Sequence, residues 1–188
     1  PNLRFNSDVP SARRLTSTLG VMNPIDWLEQ TVLGFSELPS EDREAIFQFA
    51  LLWSLFEAKA LQTRASANSI LALVHERAAQ NRLAAGDFEP SLRYFRQRYF
   101  SAGIATQHYA GLHLRTNDNA VLVQQVLCGA NNNPADSVAA LLIVIYRLRN
   151  NLFHGLKWAY GIQNQRENFE HANAALMTAF TQLAQHDA

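Results

Sequence analysis

The sequence predicts an all-α fold, and three observations carry that expectation. The hydrophobic pattern follows helical periodicity almost throughout. Strand-like alternation bounded by paired turn signals is missing. Helix start and stop residues recur along the chain and leave short connections. Six or seven helices so connected suggest an antiparallel helical bundle with additional peripheral helices.

Each element has a local reason. Asn23-Pro24 opens a short helix to about Leu33, with Gly34 as its stop. Pro39-Ser40 followed by Glu41 and Asp42 is a capped start with acid in the first turn. The helix it begins, about 41–63, is apolar nearly all round (Ile46, Phe47, Phe49, Leu51, Leu52, Trp53, Leu55, Phe56), which predicts a central place in the bundle. A stretch from about Asn68 to Ala85 turns Ile70, Leu71, Leu73 and Val74 inward, with Gly86 as its stop. Pro90 starts a short aromatic-basic helix to about Phe100, and residues 101–116 are the least regular. A helix from about Asn119 to Leu127 precedes the loop Asn131-Asn132-Asn133-Pro134. The next helix, about 134–153, carries a second all-round apolar run, Val138 to Tyr146. The last, about Gln163 to Gln185, has Phe169, Leu176, Phe180 and Leu183 on one stripe.

Composition narrows the classes. At 188 residues with 48% hydrophobic content, the chain can build one core without disulfide or metal, and it reads as a single domain with residues 1–20 as a loosely ordered extension. The single cysteine, Cys128, excludes a disulfide framework and a Cys-rich zinc site, and reads as a small buried apolar residue. His108 and His113 lie five apart, a spacing that suits no helical metal pair, so neither a metal nor another cofactor is expected. His75 and His171 read as surface residues. Pro1–Ser11 is polar and lacks the apolar core of a signal peptide, and the longest apolar run, nine residues, is too short to span a bilayer. A cytoplasmic chain without membrane contact is expected. Acidic and basic residues balance at 16 each, so no global field announces nucleic acid. Yet 14 of the 16 basic residues are arginine, the better residue for fork-like phosphate contacts.

The chemistry concentrates in Tyr146–Trp158, YRLRNNLFHGLKW, where an aliphatic helix suddenly offers Arg147, Arg149, Asn150, Asn151, His154 and Lys157. Arg149 supplies a permanent cation and a fork of donors. His154 can give or take a proton near neutral pH. Together they are sufficient parts for phosphodiester cleavage without metal. On an ideal helix the two lie about 140° apart, so convergence needs a helix end, a bulge or the reach of arginine; Gly155 makes an end there credible. The bland alternative is a helix C-terminus carrying cations that suit its dipole. Asn150 is either a helper that contacts phosphate or orients Arg149, or a capping amide. Asn151 reads as a cap or surface residue. Glu57, a carboxylate inside an apolar helix, either pairs with Arg149 or His154, or sits on an exposed edge near Lys59 or Arg64. Arg93, Arg96 and Arg98 interleave with Tyr94, Phe95 and Tyr99, either as a surface for single-stranded nucleic acid or as core aromatics with a solvated arginine face.

Arg149, four residues, then His154, with the polar Asn150 after the arginine, resembles the R-x4–6-H signature of HEPN domains. RNNLFHG has the form seen in many bacterial HEPN proteins, and FALLWSLFEAKAL (49–61) resembles the tryptophan-bearing helix of one bacterial branch, with Glu57 where that branch often has Asn. The match covers about 13 residues at each of two places. The resemblance implies a bundle that dimerises and brings two R-x4-H motifs into one cleft. It implies a metal-independent endoribonuclease, a toxin or anti-phage effector, with RNA as substrate. Arg149 and His154 would be catalytic, Asn150 and Glu57 supporting, and Arg93, Arg96, Arg98, Arg147 and Lys157 candidates for RNA contact. An antitoxin or other regulatory protein is a further candidate partner. In some toxin members a partner enzyme modifies a tyrosine two residues after the histidine; Leu156 stands there, so that regulation is not expected. The alternative is a catalytically inert HEPN-like module that binds RNA, a nucleotide or a protein.

Overall fold

Helix is the rule across residues 22–153 and 163–184, the residues that the computed structural model describes. The fold is all-α: among the described residues there are eight α-helices and one two-stranded hairpin. The expected extension (1–20), and with it His154, Gly155, Leu156 and Lys157, lie outside these residues. The described residues fall into two compact units that part at Ser40, a division the sequence did not announce.

The first unit holds α1 (Pro24–Thr31), started as expected by Asn23, whose side chain accepts the Ile25 N–H, and by Pro24 at the first helical position.

The second unit is built around α7 (Pro134–Phe153). Every residue from Ser137 to Ile145 is buried, so the all-round apolar run sits at the centre of the packing. Around it pack α3 (Ala67–Ala79), α4 (Glu89–Tyr99), α6 (Ala120–Leu127) and α8 (Arg166–Leu183). The second all-round apolar helix, α2 (Ser40–Ala60), departs from expectation. It buries Ala45, Ile46, Phe49, Trp53 and Phe56 but exposes Phe47, Leu51 and Leu55, with Leu51 at 72%. It joins α7 and α8 through large rings, Trp53 against Tyr146 and Phe49 against Phe169, and through Asn173 Nδ2, which donates to Ala45 O at 3.1 Å.

Two helices end earlier than the sequence predicts, and in each the chain turns into left-handed backbone. Gln62 and Thr63 take φ of 50° and 60° after α2, and Asn81 takes 55° after α3. The expected stop at Gly86 falls instead in a short 3-10 turn, Ala85–Phe88. Within the irregular stretch, β1 (Phe100–Ser101) and β2 (Ile104–Ala105) pair antiparallel across Ala102-Gly103, both at positive φ. A two-residue turn of that handedness matches strand twist, but Ala-Gly signals it more weakly than Asn-Gly. A one-turn helix, α5 (Gln107–Ala110), follows.

Buried polar residues tie the irregular parts to the core. Arg77 donates through Nε and Nη2 to Leu183 O, closing the C-terminus of α8. Asn151, expected as a cap or surface residue, is 1% exposed and donates to the carbonyls of Gly111 and Leu112. Cys128 is half-buried rather than buried, its thiol near Gln125 O.

Candidate functional site

The site is assembled from one turn of α2 and the last turns of α7. Trp53 and Glu57 are one helical turn apart, so they share a face. The indole Nε1 donates to Glu57 Oε2 at 2.6 Å, which fixes the carboxylate. The same oxygen accepts from Arg149 Nη2 at 3.3 Å. Arg149 Nη1 donates to Asn150 Oδ1 at 3.0 Å. The guanidinium also lies between two rings, 5.9 Å from the Trp53 centroid and 5.3 Å from that of Phe153. Cation–π attraction operates at such distances without consuming N–H donors. Arginine has five N–H donors. Glu57 and Asn150 engage one each, and Nε is buried with no partner among the described residues. Donors for an incoming oxyanion therefore remain on the two terminal nitrogens.

These groups open onto a groove of about 300 Å³ lined by Ala50, Trp53, Ser54, Glu57, Arg149 and Phe153, among others. The Arg149 side chain is 30% exposed and that of Glu57 20%. The site thus offers one cation, one carboxylate and two aromatic walls. Among the described residues no group of three or more His, Cys, Asp and Glu could hold a metal ion.

The placement sorts the sequence candidates. Arg149, Asn150 and Glu57 come together. Glu57 is half-buried and pairs with Arg149 rather than with Lys59 or Arg64, and Asn150 holds the guanidinium. Arg147 goes elsewhere. It is 2% exposed, its Nη1 lies 3.2 Å from Asp118 Oδ2, and its Nε donates to Leu112 O. Burial pulls its pKa down while Asp118 pulls it up. A guanidinium so enclosed is a core anchor, which removes Arg147 from the residues that could meet RNA.

The aromatic-basic segment takes the second of its two readings. Phe95 and Tyr99 are buried and stack on each other, as core aromatics do. Arg96 donates to Val126 O and Asn132 Oδ1, tying α4 to the end of α6, and Arg98 lies against Tyr94. Arg93 alone of the three points to solvent, beside Glu89. His75 pairs with Asp136 and remains half exposed. His171 is less exposed than expected, stacked on Tyr94 with ring centroids 4.1 Å apart.

Sequence reasoning missed one member of the site and part of the role of another. Trp53 is the core residue it was read as, 1% exposed, but its N–H to Glu57 had a signal only in the i, i+4 spacing. Phe153 sat unremarked beside His154.

No protein-family model, curated protein or solved structure matches the chain. The HEPN resemblance accordingly rests on the residues of the two motifs.

Among the described residues no helix is long and apolar enough to cross a membrane.

Proposed function

We propose that this chain is a metal-independent endoribonuclease of HEPN type, acting in the cytoplasm as a toxin or anti-phage effector. The observation that supports the reading best is the setting of Arg149. Its guanidinium is held by Glu57 and Asn150 and flanked by two rings at an open groove. Such a group is pre-oriented, so binding a phosphate costs little further ordering.

In the proposed reaction the 2′-hydroxyl attacks the adjacent phosphorus, forming a P–O2′ bond and breaking P–O5′. His154, the next residue in sequence after Phe153, moves the protons as general acid or base. Arg149 takes the charge that builds on the non-bridging oxygens, and Asn150 and Glu57 keep it aligned. The products carry a 2′,3′-cyclic phosphate and a 5′-hydroxyl. Two copies of the chain would share the cleft, and an antitoxin or other regulatory protein would restrain it.

The test is incubation of purified protein with total RNA in excess chelator. Fragments ending in 2′,3′-cyclic phosphate are expected from the wild type and not from His154→Ala or Arg149→Ala. Undiminished cleavage by either variant would remove the mechanism.

One observation favours a second reading, an inert module that binds RNA, a nucleotide or a protein. Glu57 already satisfies part of the Arg149 charge, which lowers the attraction the groove holds for a polyanion. RNA bound but uncut by the wild type would select it.

A further inference from the structure

We propose that Phe153 is the nucleobase-stacking residue of the Arg149 groove and sets how tightly a strand is held there. The inference rests on the nucleic-acid reading above.

The first reason is the exposure of this ring. Along α7 toward Phe153, Leu148 is 2% exposed and Leu152 5%, yet Phe153 is 57% exposed. A lone exposed ring is ordinary, and this one gains meaning from its place on the groove lining beside a guanidinium. The second is its neighbour. The Arg149 guanidinium lies 5.3 Å from the ring centroid, so a phosphate on Arg149 and a flat group on Phe153 would be close together. Nucleotides present that combination, an anion and an aromatic plane joined by a short sugar. The third is size and lining. A groove of about 300 Å³ stands at the small end of ligand sites, which run roughly 300–1,000 Å³. Its apolar lining (Trp53, Ala50, Ala58, Phe153) suits a base face, while Glu57, Thr63 and Arg149 suit polar edges and phosphate. The fourth is elimination. With Phe95 and Tyr99 buried and the Tyr94 ring stacked on His171, the rings of α4 are already engaged within the fold.

The experiment compares two probes on the full chain in chelator. One is a short 2′-O-methyl oligonucleotide, which cannot undergo 2′-attack; the other is an abasic sugar-phosphate backbone of equal length. Stacking on an aromatic side chain is worth enough to tighten binding roughly tenfold. The wild type should therefore bind the oligonucleotide about tenfold more tightly than the abasic probe. Phe153→Leu should erase that difference and leave abasic binding unchanged, and Phe153→Trp should keep it. Three results overturn the proposal: a wild type that does not distinguish the probes, a Phe153→Leu chain that still does, or equal losses on both. A change in elution volume on Phe153→Leu also overturns it, because the ring would then serve contact between copies. Arg149→Ala reads out separately. Both probes bound at wild-type affinity by that variant would remove the anion grip of the proposed function, whatever Phe153 does.

Discussion

Arg147 and Arg149 are two residues apart, about 200° around α7, and their fates diverge for that reason. One turns into the core against Asp118 and the Leu112 carbonyl; the other turns toward α2 and an open groove. Asp118 is 4% exposed and its Oδ2 also accepts the Arg115 N–H, so it holds both the ion pair and a turn. Removing one partner of a buried pair strands the other charge and costs about 3–5 kcal/mol. Asp118→Asn should thus lower the urea-derived unfolding free energy by about 3 kcal/mol. A loss under about 1 kcal/mol, the scale of an exposed pair, would mean that Arg147 reaches water. The sequence could bring forward both arginines but not separate them. A residue's side of a helix follows from spacing, whereas which side meets a neighbour depends on packing that one sequence does not encode locally. Glu57 shows the same limit. Its place in an apolar helix flagged it, and only its position opposite α7 identified its partner.

At the scale of elements, the helices were legible because caps, prolines and periodicity act within a few residues. Asn23-Pro24 and Pro134 begin helices where expected. The ends of α2 and α3 were less legible, since Gln62, Thr63 and Asn81 adopt left-handed backbone with no glycine to announce it. The ranking of helices also failed in one case. Two all-round apolar helices both suggested burial; α7 has neighbours on every side, while α2 keeps one apolar face open. A further prediction belongs to the contact of α4 with α8. His171 stacks on Tyr94, and burial lowers its pKa, against the pull of Glu167 and Glu170. The folded chain therefore favours neutral imidazole. Above the unfolded value, about 6.5, this adds no pH dependence; as pH falls below it the unfolded chain takes the proton first and stability is lost toward the lower folded pKa. His171→Phe keeps a ring on Tyr94 and removes the titration. The urea midpoint of the wild type should fall more than that of the variant between about pH 7 and about pH 5. Parallel curves would show that His171 is protonated without penalty in the fold.

At the scale of the molecule, balanced charge means that affinity for a polyanion must come from a local site, whose few cations give it a modest dependence on salt. The proposed dimer has to supply what one groove lacks, a second set of cations across a cleft. Phe47, Leu51 and Leu55 are spaced four residues apart, forming one exposed apolar stripe on α2. The stripe adjoins Ser54 and Ala58, which line the groove, so a second copy seated on it would bring its own groove near the first. Leu51→Glu tests this. Leu51 is 72% exposed, and a substitution at such a site ordinarily changes stability by no more than about 0.5 kcal/mol. If the stripe joins two copies, a buried carboxylate there has no partner, and light scattering should find the variant at monomer mass with RNA cleavage lost and the unfolding midpoint at low concentration unchanged. A variant that stays dimeric and active would move the interface elsewhere. A variant that unfolds more easily as a monomer would assign the stripe to the chain's own packing, leaving the shared cleft without a surface to form it.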